Sequence, residues 1–294
     1  MRILAVGLLL FIALTLGCSG QSGGTVFPPA EPAPSIGATD TGPTPVYVLA
    51  GQSNAAGNGP VAQLDASQAT PAVDSYLYDD GSCAPDLAGH WVPITTGDGC
   101  TAQAIGPELA FAKSMPGPVY IIKYAVPSTS MDTFWRSPSA GGAFPGYVAL
   151  LDAVRSALAA ARIPGGAHLA ALLWFQGESD AIDSAEAADT YQARLAAFIA
   201  DFRTDTGAAQ LPVVLAQVHL CSQEPWGAVV QSAQAAVAGS VPGVSMFPTE
   251  DLVLNPGEPD EDGESEYAVG QRFAAAVQAI PAVGLTIPSP LLRK

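Results

Sequence analysis

Residues 46–57 read Val46-Tyr47-Val48-Leu49-Ala50-Gly51-Gln52-Ser53-Asn54-Ala55-Ala56-Gly57. The five apolar, partly β-branched residues predict a buried strand, and the glycine, serine and asparagine after them predict a tight turn. In open α/β folds, ligands bind beyond the carboxyl ends of the strands. The junction therefore holds the Ser53 hydroxyl where a substrate can meet it, and Ser53 is a candidate nucleophile.

Downstream the pattern alternates. Apolar residues recur at helical spacing through Leu109, Ala112 and Met115, through Val148, Leu151, Val154, Leu158 and Ala161, and through Tyr191, Leu195, Phe198, Ile199 and Phe202. Helices are also predicted over 226–238 and 267–280, and strands at 118–124, 169–175, 211–218 and 244–247. The run from Leu169 to Phe175 is apolar throughout, as expected for a strand covered on both faces. Strands separated by helices imply right-handed crossovers and parallel pairing. The expectation is one α/β domain over residues 46–294, a flavodoxin-like three-layer α/β/α sandwich with a mostly parallel five-stranded sheet. The polar stretch after the first strand, to about Gln103, reads as an excursion, with a small hairpin built from the apolar pieces Ser75–Tyr78 and Trp91–Ile94.

A second strand runs into a polar turn at Trp174-Phe175-Gln176-Gly177-Glu178-Ser179-Asp180. Together with Gly51-Gln52-Ser53-Asn54, this block resembles the SGNH/GDSL-type hydrolases, in the branch containing sialate O-acetylesterases and acetylxylan esterases. Weaker echoes at Ile105–Ala112, at Trp226 and at Ser232-Ala233-Gln234 extend the resemblance from Val46 to the last helix. The resemblance implies the SGNH hydrolase fold and a serine esterase, without a cofactor, that removes acetyl groups from a carbohydrate or a similar small ester. It also implies roles: Ser53 as nucleophile, the Gln176 amide as an oxyanion donor, and Gln52, Asn54 and Glu178 around the substrate or behind the catalytic groups. An oxyanion donor contributes a few kcal/mol of transition-state stabilisation. Where the family reads Ala-x-Gly-Gly-Thr, this chain has Ala125-Val126-Pro127-Ser128-Thr129. Proline has no N–H to offer, which leaves the Ser128 backbone N–H as a candidate second donor.

A serine hydroxyl is a weak nucleophile until a base takes its proton, and the base best matched to neutral pH is histidine. The resembled enzymes supply it from an Asp-x-x-His element before the last helix. Residues 251–263 contain no histidine; family spacing lands on Asp260 for the histidine and on Gly257 for its aspartate. Of the 3 histidines in the chain, His90 lies in a loop and His168 begins a strand at the edge opposite the nucleophile. His219 follows the strand 211–218 and emerges at the same edge as Ser53, about 10 Å away by strand spacing, which makes it a candidate relocated base. Asp260, Glu258 and Glu261 are the alternative, with an ordinary carboxyl pKa of about 4 unless burial or crowding raises it. Their run also reads as a solvated loop, with or without a bound cation, and no other metal signature stands in the sequence. Without the family base, a catalytically degenerate surface lipoprotein that binds glycan or acyl ligand is the alternative to an enzyme.

Composition narrows the partners. The 294 residues are 49% apolar and 13% charged, a globular balance. A formal charge of −16, from 11 basic and 27 acidic residues, repels nucleic acid and anionic lipid surfaces. After Arg2, the apolar run Ile3–Gly17 is too short to span a bilayer comfortably and ends at Leu16-Gly17-Cys18. That end resembles a bacterial lipoprotein processing site: a signal peptide over 1–17, a lipidated Cys18 as membrane anchor, and a flexible Gly/Ser/Pro/Thr tether over 18–45. The expected location is the bacterial cell envelope, through the anchor, or outside the cell if the lipoprotein site is not used. In an oxidising compartment Cys83 and Cys100, which bracket a glycine-containing loop, predict a disulfide. Cys221 is left as a small buried hydrophobe.

Overall fold

The computed structural model describes residues 43–80, 83, 89–160 and 166–281. The leader, Cys18, the tether up to residue 42 and the Ile163-Pro164-Gly165 helix stop lie outside the described residues. Among the described residues no helix is long and apolar enough to cross a membrane.

The strand read from Val46 to Ala50 is β1 (Thr44–Gly51), and it lies in the middle of the sheet. Its side chains alternate as the pleat requires. Val46, Val48 and Ala50 enter one core, while Tyr47 and Leu49 enter the other. The remaining strands of the sheet are β3 (Tyr76–Asp79), β4 (His90–Pro93), β6 (Tyr120–Ala125), β7 (Ala167–Phe175), β8 (Val213–Ala216) and β9 (Val244–Phe247). They run in the order β4-β3-β6-β1-β7-β8-β9, parallel except for β4. A separate two-stranded ladder pairs β2 (Gly59–Pro60) with β5 (Ala104–Ile105).

The sheet has seven strands where the sequence reading expects five. The added pair is the small hairpin: β3 and β4 do pair antiparallel, but β3 also pairs parallel with β6 and so joins the main sheet. Four-residue strands inside a polar excursion carry little periodic signal. Their membership is decided by the non-local pairing of Tyr76–Asp79 with Tyr120–Lys123.

Helices cover both faces. α2 (Pro107–Ser114) and α7 (Gly263–Gln278) pack on the Tyr47/Leu49 face, and α3 (Pro145–Ala160), α5 (Ala185–Asp205) and α6 (Gly227–Ser240) on the other. The chain builds β3 and β6 on one side of β1 and then crosses to β7 on the other. This reversal makes the carboxyl end of β1 a topological switch point, where such folds open a ligand crevice.

The close approach of β1 and β7 there depends on Gly51. Its φ of +147° is open to glycine, and a Cβ at this position would lie 1.9 Å from the carbonyl oxygen of Phe175. The following Gln52 N–H donates to that same oxygen at 3.0 Å. The two polar turns, Gln52-Ser53-Asn54 and Gln176-Gly177-Glu178, are thereby set side by side.

Candidate active site

Ser53 opens the one-turn helix α1 (Ser53–Ala56) and is 7% exposed. Its Oγ donates to Asp260 Oδ1 at 2.5 Å, and Asp260 Oδ2 accepts from Asn58 Nδ2 at 2.8 Å. Asp260 is carried by a turn ahead of α7 that the Asn255 N–H closes onto the Asp260 carbonyl at 2.7 Å and that the Leu254–Glu261 bridge seals. The acidic run is therefore not a uniformly solvated loop. Glu258 is exposed, but the turn drives Asp260 and Glu261 inward, to 9% and 0% exposure.

Asn54 ties three segments together. Its Nδ2 donates to Glu178 Oε1 at 2.7 Å, and its Oδ1 accepts from the Glu261 N–H at 2.9 Å. Glu178 begins the short helix α4 (Glu178–Asp183), directly after the turn that ends β7.

Gln52 and Gln176 meet across the crevice. Gln52 Oε1 accepts from Gln176 Nε2 at 3.2 Å and from the Ser179 N–H at 3.2 Å. Gln176 Nε2 also faces Asp180 Oδ2 at 2.7 Å and the Thr129 carbonyl at 3.0 Å. Three acceptors thus surround an amide nitrogen that has two hydrogens. For Gln176 to donate to an oxyanion it must give up one of them. Its main-chain carbonyl is held by the Tyr191 hydroxyl at 2.7 Å.

Ser128 stands exposed in the loop after β6 with φ +57°. That left-handed conformation is the one glycine adopts without strain, and Ser128 stands where the resemblance implies a glycine. His219 is not brought onto the serine hydroxyl. Its Nδ1 lies 3.5 Å from Glu261 Oε1, and no hydrogen bond joins it to Ser53. His168 pairs with Pro45, at the far end of β1 from Ser53, and His90 is exposed on β4.

Carboxyl groups crowd this region. Burial, followed by the charges of Asp260 and Asp180, pushes Glu178 up to about 7. Burial raises Asp180 to about 6, and Glu224 to about 8 with help from Glu178. Glu261 goes to about 9, again by burial first and then repulsion from Glu178 and Asp262. Glu266 on α7, completely buried, is raised well above the ordinary carboxyl value by burial and by Glu261. Among the described residues no three His, Cys, Asp or Glu side chains are arranged to hold a metal ion.

A carboxyl whose pKa is higher folded than unfolded holds its proton more tightly in the folded state, so its stabilisation is complete below the unfolded value and is lost as pH rises through the folded one. For Glu261 that window runs from the ordinary 4.5 to about 9. Glu261→Gln, which mimics the neutral acid, is expected to match the parent in thermal unfolding at pH 4 and to exceed it increasingly up to pH 9. A constant difference in melting temperature across this range would contradict the assignment.

Cys83 and Cys100 form the expected disulfide. It anchors a loop whose Cys100 N–H donates to the Gly57 carbonyl at 2.8 Å, next to Asn58. Cys221 is free and half-buried, and burial pushes its thiol upward, away from reactivity. Asn58, Glu224 and Glu266 are missed by the sequence reading. Only the position of Asn58, between Gly57 and Gly59 just past the Gln52-Ser53-Asn54 turn, marks it out.

A serine beyond the central strand of a mostly parallel α/β/α sandwich, facing a turn that precedes the last helix, defines an SGNH-type hydrolase. The chain belongs to the family described as carbohydrate esterase, sialic acid-specific acetylesterase, whose model matches residues 43–279. Three solved structures share the fold. A protein from Arabidopsis thaliana is 20% identical with a TM-score of 0.64, covering 81% of this chain and 99% of its own. The structure titled NanS is 13% identical with a TM-score of 0.61, covering 81% and 98%. A carbohydrate acetylesterase from Xanthomonas citri is 19% identical with a TM-score of 0.58, covering 79% and 55%. No curated protein matches the chain in sequence. Family membership makes the protein a carbohydrate esterase, a hydrolase of acetyl esters.

Proposed function

We propose that the protein is an exported serine esterase that removes acetyl groups from a carbohydrate, with Ser53 as nucleophile and Asp260 as its base. The observation that carries this reading is the 2.5 Å hydrogen bond from Ser53 Oγ to Asp260 Oδ1. Ser53 Oγ attacks the acetyl carbonyl carbon as its proton passes to Asp260. The carbonyl oxygen takes the electron pair and is met by the backbone N–H groups of Ser53 and Ser128. Collapse breaks the bond to the sugar oxygen, which leaves with the proton from Asp260. Water then attacks the acetyl-serine, Asp260 takes its proton, and acetate departs as Ser53 Oγ regains that proton.

The test is acetate release from aryl acetates, acetylated xylan and O-acetyl sialic acid, measured for the parent, Ser53→Ala and Asp260→Asn. A rate that survives Ser53→Ala ends the proposal, and glycan binding without any turnover favours the degenerate alternative. The acceptor sugar is the one that the panel selects.

Export rests on the apolar run ending at Cys18 and on a disulfide suited to an oxidising compartment. Cys18→Ala is expected to shift the protein from the membrane fraction to the soluble one. An unchanged distribution would refute the lipid anchor.

A further inference from the structure

Asp260 shares its carboxylate between two donors. One oxygen receives the serine proton's hydrogen bond, and the other receives Asn58 Nδ2 at 2.8 Å. A base that turns about its χ2 presents the wrong lone pair to the nucleophile, and a misplacement of about 1 Å can cost on the order of 10²-fold in rate. In histidine-based sites a second carboxylate holds the imidazole in place. By family spacing Asp260 has no such partner, because the position for that aspartate is Gly257, which has no side chain.

We infer that Asn58 is the positioning residue for Asp260, supplying from the nucleophile loop the orientation that no acid supplies from the Asp260 loop. This rests on the Ser53–Asp260 reading above.

The backbone around Asn58 is built to hold it. Gly57 has φ +96°, and a Cβ there would lie 2.4 Å from the Gly106 nitrogen. The Gly57 carbonyl accepts the Cys100 N–H at 2.8 Å, within the loop that the Cys83–Cys100 disulfide closes. Gly59 then pairs with Ile105, and a Cβ on Gly59 would lie 2.8 Å from the side chain of Glu266. Asn58 is thus clamped on both sides by segments distant in sequence, while its half-buried side chain reaches Asp260. The Asp260 charge reaches Glu178 on α4 and Glu266 on α7, both acids. An uncharged donor at position 58 holds the base without adding another acid to this cluster.

The experiment measures covalent labelling of Ser53 by an aryl fluorophosphonate, which needs no knowledge of the sugar. Ser53 Oγ attacks phosphorus, fluoride leaves and the serine proton goes to Asp260. Rates are followed against pH on the intact protein for the parent, Asn58→Ala, Asn58→Asp, Asp260→Asn and Ser53→Ala. Asn58→Ala is expected to slow labelling about 10-fold or more at neutral pH. Asn58→Asp keeps the shape but sets two carboxylates against each other, and is expected to move the acid limb of the rate profile to higher pH. A residue that served only to pack the loop would not move that limb. Labelling of Asn58→Ala within twofold of the parent, with an unmoved limb in Asn58→Asp, overturns this inference alone when Asp260→Asn is slow. Labelling of Asp260→Asn at the parental rate overturns the Ser53–Asp260 reading and this inference with it.

Discussion

Asp260→Asn is expected to lower acetate release by about 10²–10⁴-fold, the range over which a positioned base contributes. The substitution keeps the size of the side chain, so the turn from Asn255 to Asp260, closed by main-chain hydrogen bonds, stays formed. What it removes is proton acceptance. An amide oxygen can still accept the Ser53 hydroxyl, but it cannot take the proton away. Its nitrogen would also face the Asn58 Nδ2 donor, now with nothing to receive it.

Asp260→His tests the same point from the other side, because it restores an imidazole where family spacing puts one. It is expected to recover at least 10-fold over Asp260→Asn near neutral pH, where imidazole is matched to proton transfer. Steady-state acetate release decides both. Parental activity in Asp260→Asn would remove Asp260 from the mechanism and return attention to His219, which faces Glu261 rather than the serine.

Lys123→Met is expected to cost about 3–5 kcal/mol of folding stability, the usual penalty for breaking a buried ion pair by removing one partner. Lys123 lies on β6 beside Leu49 and Asp79, and is 2% exposed. Its Nζ lies 3.1 Å from Glu108 Oε2 and donates to the Asp98 carbonyl at 2.9 Å. The layer that it serves is acidic: Glu108 is 1% exposed, burial pushes Asp98 up to about 7, and Glu266 is influenced by both Glu108 and Lys123. Methionine fills a similar volume but leaves Glu108 without a counter-charge. α2 and α7 pack on this face, and α7 follows directly on the Asp260 turn, so the loss should reach the site. Adding Glu108→Gln to Lys123→Met is expected to return part of the stability. Denaturant unfolding checks both, and a cost under 1 kcal/mol for the single variant would show that the pair is not needed.

Much of this architecture is legible in the order of residues. The strands around Val46–Ala50 and Leu169–Phe175 are long, apolar and bounded by glycine turns, so local periodicity identifies them before any contact is known. The same holds for the helices carrying Tyr191, Phe198 and Phe202. β3 and β4 are legible as a hairpin but not as part of the main sheet, because joining it depends on a parallel pairing with β6 that four residues cannot announce. The acids after Asp251 read equally well as solvent-facing, and only the closure of the turn onto Asp260 buries two of them.

From sequence alone follow the α/β order, the junction that presents Ser53 and the absence of a histidine from the turn before α7, since each is a property of adjacent residues. The tertiary structure alone decides what Ser53 touches. Its hydrogen bond to Asp260 spans 207 positions, and that from Asn54 to Glu178 spans 124. Contacts of this length leave no periodic trace in the chain. They arise when the sheet sets the ends of β1 and β7 together and α7 packs its preceding turn against them.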